Sequence, residues 1–89
     1  MIRYRYVSCS VERPGGKKTF IEGDYEPRGT LKEVIDGLIS TVGHVVFYEE
    51  LFVFVDGVLS GERAIARYKW PLDQIKTIVL LGTGKNAIP

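Results

Sequence analysis

One apolar stripe of helical period, with strand and turn patterns on both sides of it, leaves few folds open to this chain. Leu31, Val34, Ile35, Leu38, Ile39 and Val42 recur at the i, i+3, i+4, i+7, i+8 and i+11 spacing of a single helix face. Thr30-Leu31-Lys32-Glu33 starts it with a capping box, in which the Thr30 hydroxyl accepts from the Glu33 amide while the Glu33 carboxylate reaches back. Gly43 stands where a left-handed C-terminal cap is wanted. Asp36, Gly37, Ser40 and Thr41 fall on the far side and are predicted to meet water. The simplest burial for one such stripe is against one face of one sheet.

The flanks supply that sheet. Ile2 to Glu12, rich in Tyr and Val, is predicted as a first strand. Its alternation changes phase: Ile2, Tyr4 and Tyr6 mark one face and Val7, Cys9 and Val11 the other. Either a bulge lies near Tyr6-Val7, or both faces of the strand are partly covered. Arg13-Pro14-Gly15-Gly16 is a turn, and Lys17 to Glu22 returns antiparallel to the first strand. Beyond the helix, His44 to Tyr48 reads as a short strand or an irregular lead-in, and Leu51 to Val55 as a strand. Asp56-Gly57 suits a two-residue hairpin whose central positions both need positive φ. Leu59 to Lys69 reads as a short strand and an irregular crossing, Trp70 to Asp73 as a turn, and Ile75 to Leu81 as the last strand. Gly82 to Pro89 reads as a mobile tail. The order ββαββ is α+β, because hairpin turns demand antiparallel neighbours.

With 89 residues, 45% of them hydrophobic, the chain holds one domain, 1–84, around a thin core, with 85–89 as a flexible tail. Twelve Lys+Arg against eleven Asp+Glu leave a net charge of +1, so no broad field favours nucleic acid, a membrane surface or an acidic partner. Cys9 is the single cysteine, which excludes an internal disulfide and a multi-cysteine metal site and fits a reducing compartment. The N-terminus lacks the apolar run of a secretory signal, and Leu51 to Val55 is too short to span a bilayer. A cytoplasmic location is expected. Scarcity of heat-labile amides, with Asn86 and Gln74 alone, points to a thermophilic source.

Three stretches carry a family resemblance. Gly29-Thr30-Leu31-Lys32-Glu33-Val34 resembles the threonine-led helix start, and Phe54-Val55-Asp56-Gly57 the strand ending in an Asn-Gly turn, of the ubiquitin-like β-grasp superfamily. Pro71 to Leu81 resembles the leucine-containing turn and final apolar strand of its small sulfur-carrier branch, the MoaD/ThiS-like proteins. The resemblance implies a mixed sheet of four to five strands, with the first and last side by side at its centre and one main helix on one face. It also implies a carrier tail, here Gly82 and Gly84, whose carboxylate an adenylating activating enzyme would use. The chain departs from that pattern, with Gly82-Thr83-Gly84 followed by Lys85 to Pro89 in place of a terminal Gly-Gly. Pro89 fixes φ and adds bulk at the terminal carboxylate, with Ile88 just before it, where a slim glycine end is needed.

Catalytic constellations are nearly lacking, and neither catalysis nor a cofactor is expected. Cys9 sits mid-strand between Val7 and Val11 and reads as a buried inert thiol. His44, the sole histidine, follows the helix C-terminus, where a partial positive charge suits the dipole. Glu49 and Glu50 are adjacent on extended chain, so they point apart and cannot share a substrate. Pro14-Gly15-Gly16-Lys17-Lys18 lacks the spacing of a phosphate loop, and a hairpin turn explains it. Arg3, Arg5, Arg13, Lys17 and Lys18 with Tyr4 and Tyr6 sketch a base-stacking surface, but an equal load of acids balances them, and nucleic acid is not the expected partner.

The apolar surplus is more telling. In Leu51-Phe52-Val53-Phe54-Val55 both faces of the strand are apolar, and in Ile75 to Leu81 the pair Val79 and Leu81 opposes Ile78 and Leu80. One helix shields one side of a sheet, and a free antiparallel face should alternate with polar residues. The surplus must be covered by the Leu59 to Trp70 segment, by a second protomer or by a partner protein. The expected function is a non-enzymatic interaction module that docks a partner or a second copy through Phe52, Phe54 and Leu80. The alternative is a carrier or protein modifier acting through a glycine carboxylate after trimming of the tail.

Overall fold

The computed structural model describes residues 1–10, 20–61 and 72–84. Five strands and one α-helix follow in the order β1 (Ile2–Ser10), β2 (Phe20–Tyr25), α1 (Leu31–Gly43), β3 (Glu50–Val55), β4 (Val58–Leu59) and β5 (Thr77–Gly84), with a short 3-10 turn at Leu72–Gln74. The strands form one mixed sheet in the order β2-β1-β5-β3-β4. β1 and β5 run parallel at its centre, and every other pairing is antiparallel. The protein is therefore α+β, and the helix buries its stripe on one side of the sheet. The expected turn at Arg13 to Gly16, the greater part (62–70) of the Leu59 to Trp70 segment expected to cross or cover the sheet, the Trp70-Pro71 start of the second turn and the tail from Lys85 lie outside the described residues.

The helix begins as its sequence dictates. The Glu33 amide donates to Thr30 Oγ1 at 3.2 Å and the Thr30 amide to Glu33 Oε1 at 3.3 Å, closing the capping box. Leu31, Val34, Ile35, Leu38 and Val42 are buried against Ile2, Tyr6, Val53, Val55, Ile78 and Leu80 of the sheet. The far end differs from expectation. Gly43 is the last helical residue, and His44 caps the helix in the right-handed region at φ −75°, ψ −18°. The Val45 and Val46 amides both donate to the Val42 carbonyl, so a tightened final turn takes the place of a left-handed glycine. Val46, only 4% exposed, anchors that exit. Gly37 is half-buried, because Tyr25 lies over the spot its Cβ would fill.

Register explains the phase change in β1. From Arg3↔Thr77 to Ser10↔Gly84 the β1–β5 ladder advances without a skipped residue, so no bulge is needed. Ile2, Tyr6 and Ser8 point to the helix and are fully buried, while Val7 belongs to the other face and is half-buried there. Both faces of β1 thus carry apolar residues in its middle. β5 is shifted from its expected span. It starts at Thr77, after a buried Ile75, and runs on through Gly84 where a free tail was expected from Gly82. Pairing on both sides carries it there: Gly82 lies between Ser8 and Leu51, and the Glu49 amide donates to the Thr83 carbonyl at 2.9 Å.

Candidate docking face

The β3–β4 hairpin fixes one flank of the open face of the sheet. Asp56 and Gly57 adopt φ of 49° and 81°, the pair of positive values a two-residue turn of this hand requires. Phe54 then pairs with Leu59 and Val55 with Val58, which puts Leu59 on the same face as Phe54. Across β3 and β5, Phe52 pairs with Leu81 and Phe54 with Val79. Across β5 and β1, Leu81 pairs with Val7 and Val79 with Arg5. Two cross-strand rows result, Val7-Leu81-Phe52 and Arg5-Val79-Phe54-Leu59, both turned away from the helix.

These side chains are not shielded as a core would be. Phe52 is 37% and Leu59 59% exposed, and Val7, Phe54, Val79 and Leu81 are half-buried. Leu80, expected on this face, is instead fully buried against the helix. The reason is parity: Leu80 pairs with Val53 and Tyr6, both inward, so its neighbours Val79 and Leu81 take the outward positions. Alternation separates the two pairs in the sequence but does not say which one meets the helix. Val7 and Leu59 also belong to the face, and only the strand register reveals them.

The β1–β2 flank of the same face is charged and closed on itself. Arg3 contacts Glu22 at 3.3 Å and Asp24 at 3.5 Å, and Arg5 contacts Glu22 at 2.9 Å. All four side chains are about half exposed, so each pair contributes little stability, roughly 0.2–1 kcal/mol. The arrangement separates the groups that a base-stacking surface would need. Arg3 and Arg5 lie on the open face, whereas Tyr4 and Tyr6 lie on the helix side, with Tyr6 fully buried. Arg13, Lys17 and Lys18 lie outside the described residues.

The helix side of the sheet holds the remaining polar features. The Tyr6 hydroxyl lies over Gly82 and has no hydrogen-bond partner among the described residues, nor has the buried Ser8 Oγ two residues on in the same strand. Burial, with a lesser contribution from Tyr48 nearby, pushes the Tyr6 phenol above its ordinary value. Gly84 adopts φ 142° with the Glu49 side chain against it. On the open face, by contrast, Cys9 of β1 pairs with Thr83 of β5 and Thr83 with the exposed Glu50 of β3. His44 is exposed at the end of α1, and Glu49 is exposed as well. A groove of about 570 Å³ opens between Ile35 and Ile39 of α1 and Leu51, Phe52, Val53 and Leu59 of the β3–β4 hairpin, with the Lys32–Asp36 ion pair (2.9 Å) on its rim. Phe52 and Leu59 thus border both this groove and the open face. Among the described residues no group of three His, Cys, Asp or Glu is placed to hold a metal ion, and no helix is long and apolar enough to cross a membrane.

Comparison of the chain with protein-family models, curated proteins and solved structures finds no match.

Proposed function

We propose that this protein is a non-enzymatic interaction module of β-grasp type that docks a protein partner or a second copy through the open face of its sheet. The single observation behind the docking reading is the apolar double row on that face, with Phe52 and Leu59 exposed and Phe54, Val79 and Leu81 half-buried. An antiparallel face that meets only water alternates toward polar residues, and this one does not. Aromatic side chains at the centre of such a patch supply most of the binding energy when a partner covers them. The β-grasp part of the reading is supported by the strand order, with β1 and β5 parallel at the centre and one helix across one face.

The test is affinity capture with the full chain from cells of its own source, comparing wild type with Phe52→Asp. A stoichiometric partner, or a second copy, lost with Phe52→Asp while the far-UV circular dichroism is unchanged supports the reading. Capture that is indifferent to Phe52→Asp and Phe54→Asp rejects it.

The second reading, a sulfur-carrier or protein-modifier protein acting through Gly82 or Gly84, rests on the family resemblance. What weighs against it is the seat of those glycines, which are buried in β5, Gly82 paired with both β1 and β3 and Gly84 with β1. A carboxylate presented to an adenylating enzyme needs slim, free chain, so this reading requires β5 to detach beyond Leu81 as well as removal of Lys85 to Pro89. Intact mass of the protein from its native cell discriminates the two, since only the carrier requires a chain that ends at a glycine.

A further inference from the structure

We infer that the occupant of the open face is a second copy of this chain, the two sheets packing face to face as a reversible twofold dimer. This inference rests on the docking reading and commits it to one partner. The first support is the layout of large and small side chains. The phenylalanines stand in one column, Phe52 and Phe54 on β3, and the aliphatic residues beside them in the next, Leu81 and Val79 on β5. A twofold axis parallel to the strands and between these two columns exchanges them. It sets Phe52 of one copy over Leu81 of the other and Phe54 over Val79, so that large meets small throughout the centre. Leu59 then meets the aliphatic stem of Arg5, which lies at the far end of the same row.

The second support is charge. Arg3, Arg5, Glu22 and Asp24 flank the patch as two cations and two anions already paired with each other. Glu50, exposed on β3 two residues before Phe52 and paired with Thr83, adds one unbalanced anion. The described part of the face therefore carries a single negative charge, too little to repel an identical face strongly. A whole-chain net charge of +1 opposes self-association as little.

Size sets the strength. Strands spaced ~4.8 Å apart and rising ~3.3 Å per residue give this sheet a face of roughly 20 Å by 20 Å, smaller than the ~800 Å² per partner of a standard stable interface. A weak dimer follows, with a Kd of roughly 1–100 µM.

Sedimentation velocity of the full chain from about 1 to 500 µM tests this, since that span brackets the expected Kd. The expected result is a monomer–dimer shift that Phe52→Asp and Phe54→Asp abolish. Leu59→Asp, at an exposed position where folding is not at stake, should weaken it at least tenfold. Isotope-filtered contacts between labelled and unlabelled copies should join the Phe52 ring of one to the Leu81 methyls of the other. A wild type that stays monomeric across the range overturns the inference, as does a dimer that Leu59→Asp leaves intact. Neither result touches the docking reading if affinity capture returns a different protein that Phe52→Asp releases.

Discussion

The carboxylate of Asp56, at the tip of the β3–β4 hairpin, accepts the backbone N–H of Thr77 at 2.9 Å and that of Lys76 at 3.0 Å, and thereby fixes where β5 begins. The Asp56 amide donates in turn to the Thr77 carbonyl at 2.9 Å. One residue thus makes the turn and caps a strand from elsewhere in the chain. Asp56→Ala removes a charged acceptor from two amides and places a Cβ-bearing residue without a side-chain acceptor at positive φ. It should lower unfolding stability by about 2–3 kcal/mol in urea titration, while Asp56→Asn, which keeps an acceptor and tolerates that φ, should lose less than half as much. Equal stability of the alanine variant and wild type would refute this role.

Gly82 is held by Tyr6, which pairs with Leu80 and reaches diagonally over the glycine. A methyl group there would collide with the Tyr6 hydroxyl and approach Tyr48 Cβ to 3.0 Å, and Tyr6 is too deeply buried to swing away. Gly82→Ala should destabilise by about 1–3 kcal/mol, and Tyr6→Phe in the same chain should recover part of the loss. A double-mutant cycle in urea measures the coupling, and purely additive effects would exclude it.

Ser8 buries a hydroxyl that has no partner among the described residues. Ser8→Ala removes that unmet polar group with little change in volume, so stability should rise, by about 1 kcal/mol. A loss of that size in thermal unfolding would mean that the hydroxyl is hydrogen-bonded in solution.

The Tyr6 phenol, pushed above 10.0 by burial first and Tyr48 second, makes stability depend on alkaline pH. A raised folded-state value means the unfolded chain releases its proton first. The contribution is therefore complete below about pH 10 and falls away as pH rises beyond it. In urea titrations from pH 9 to 12 the wild type should lose more stability than Tyr6→Phe does. Parallel curves would dismiss Tyr6 as the cause.

Leu38 is fully buried at the centre of the helix stripe. Leu38→Ala should cost about 2–5 kcal/mol, read by the midpoint of chemical unfolding. Retention of the wild-type midpoint would place that side chain at the surface.

The helix and the Asp56-Gly57 turn were legible because their signals are local: a capping box, a 3.6-residue period, a pair of residues that accept positive φ. The docking face was legible only as a surplus. In a strand whose two faces are both apolar, pattern alone cannot assign Leu80 inward and Leu81 outward, since a slip of one residue exchanges them. Pairing with Val53 and Tyr6 decides it, and that information lies far away in the chain. The same distance hides why β5 runs through Gly82 and Gly84. Locally these glycines read as loose chain, while in the fold they make room for Tyr6 and Glu49. Gly43 misled in the opposite direction, because burial of Val46 turned the helix exit without a left-handed residue.

The parallel pairing of β1 with β5 has a mechanical consequence. Tension applied between Ile2 and Gly84 pulls the two central strands lengthwise past each other. The hydrogen bonds from Arg3↔Thr77 to Ser10↔Gly84 are then loaded in shear, all at once, and cannot open one by one like a zip. Drawn from its β3–β4 hairpin the same domain would peel apart at the short β4 edge, so its resistance to force depends on the direction of the pull.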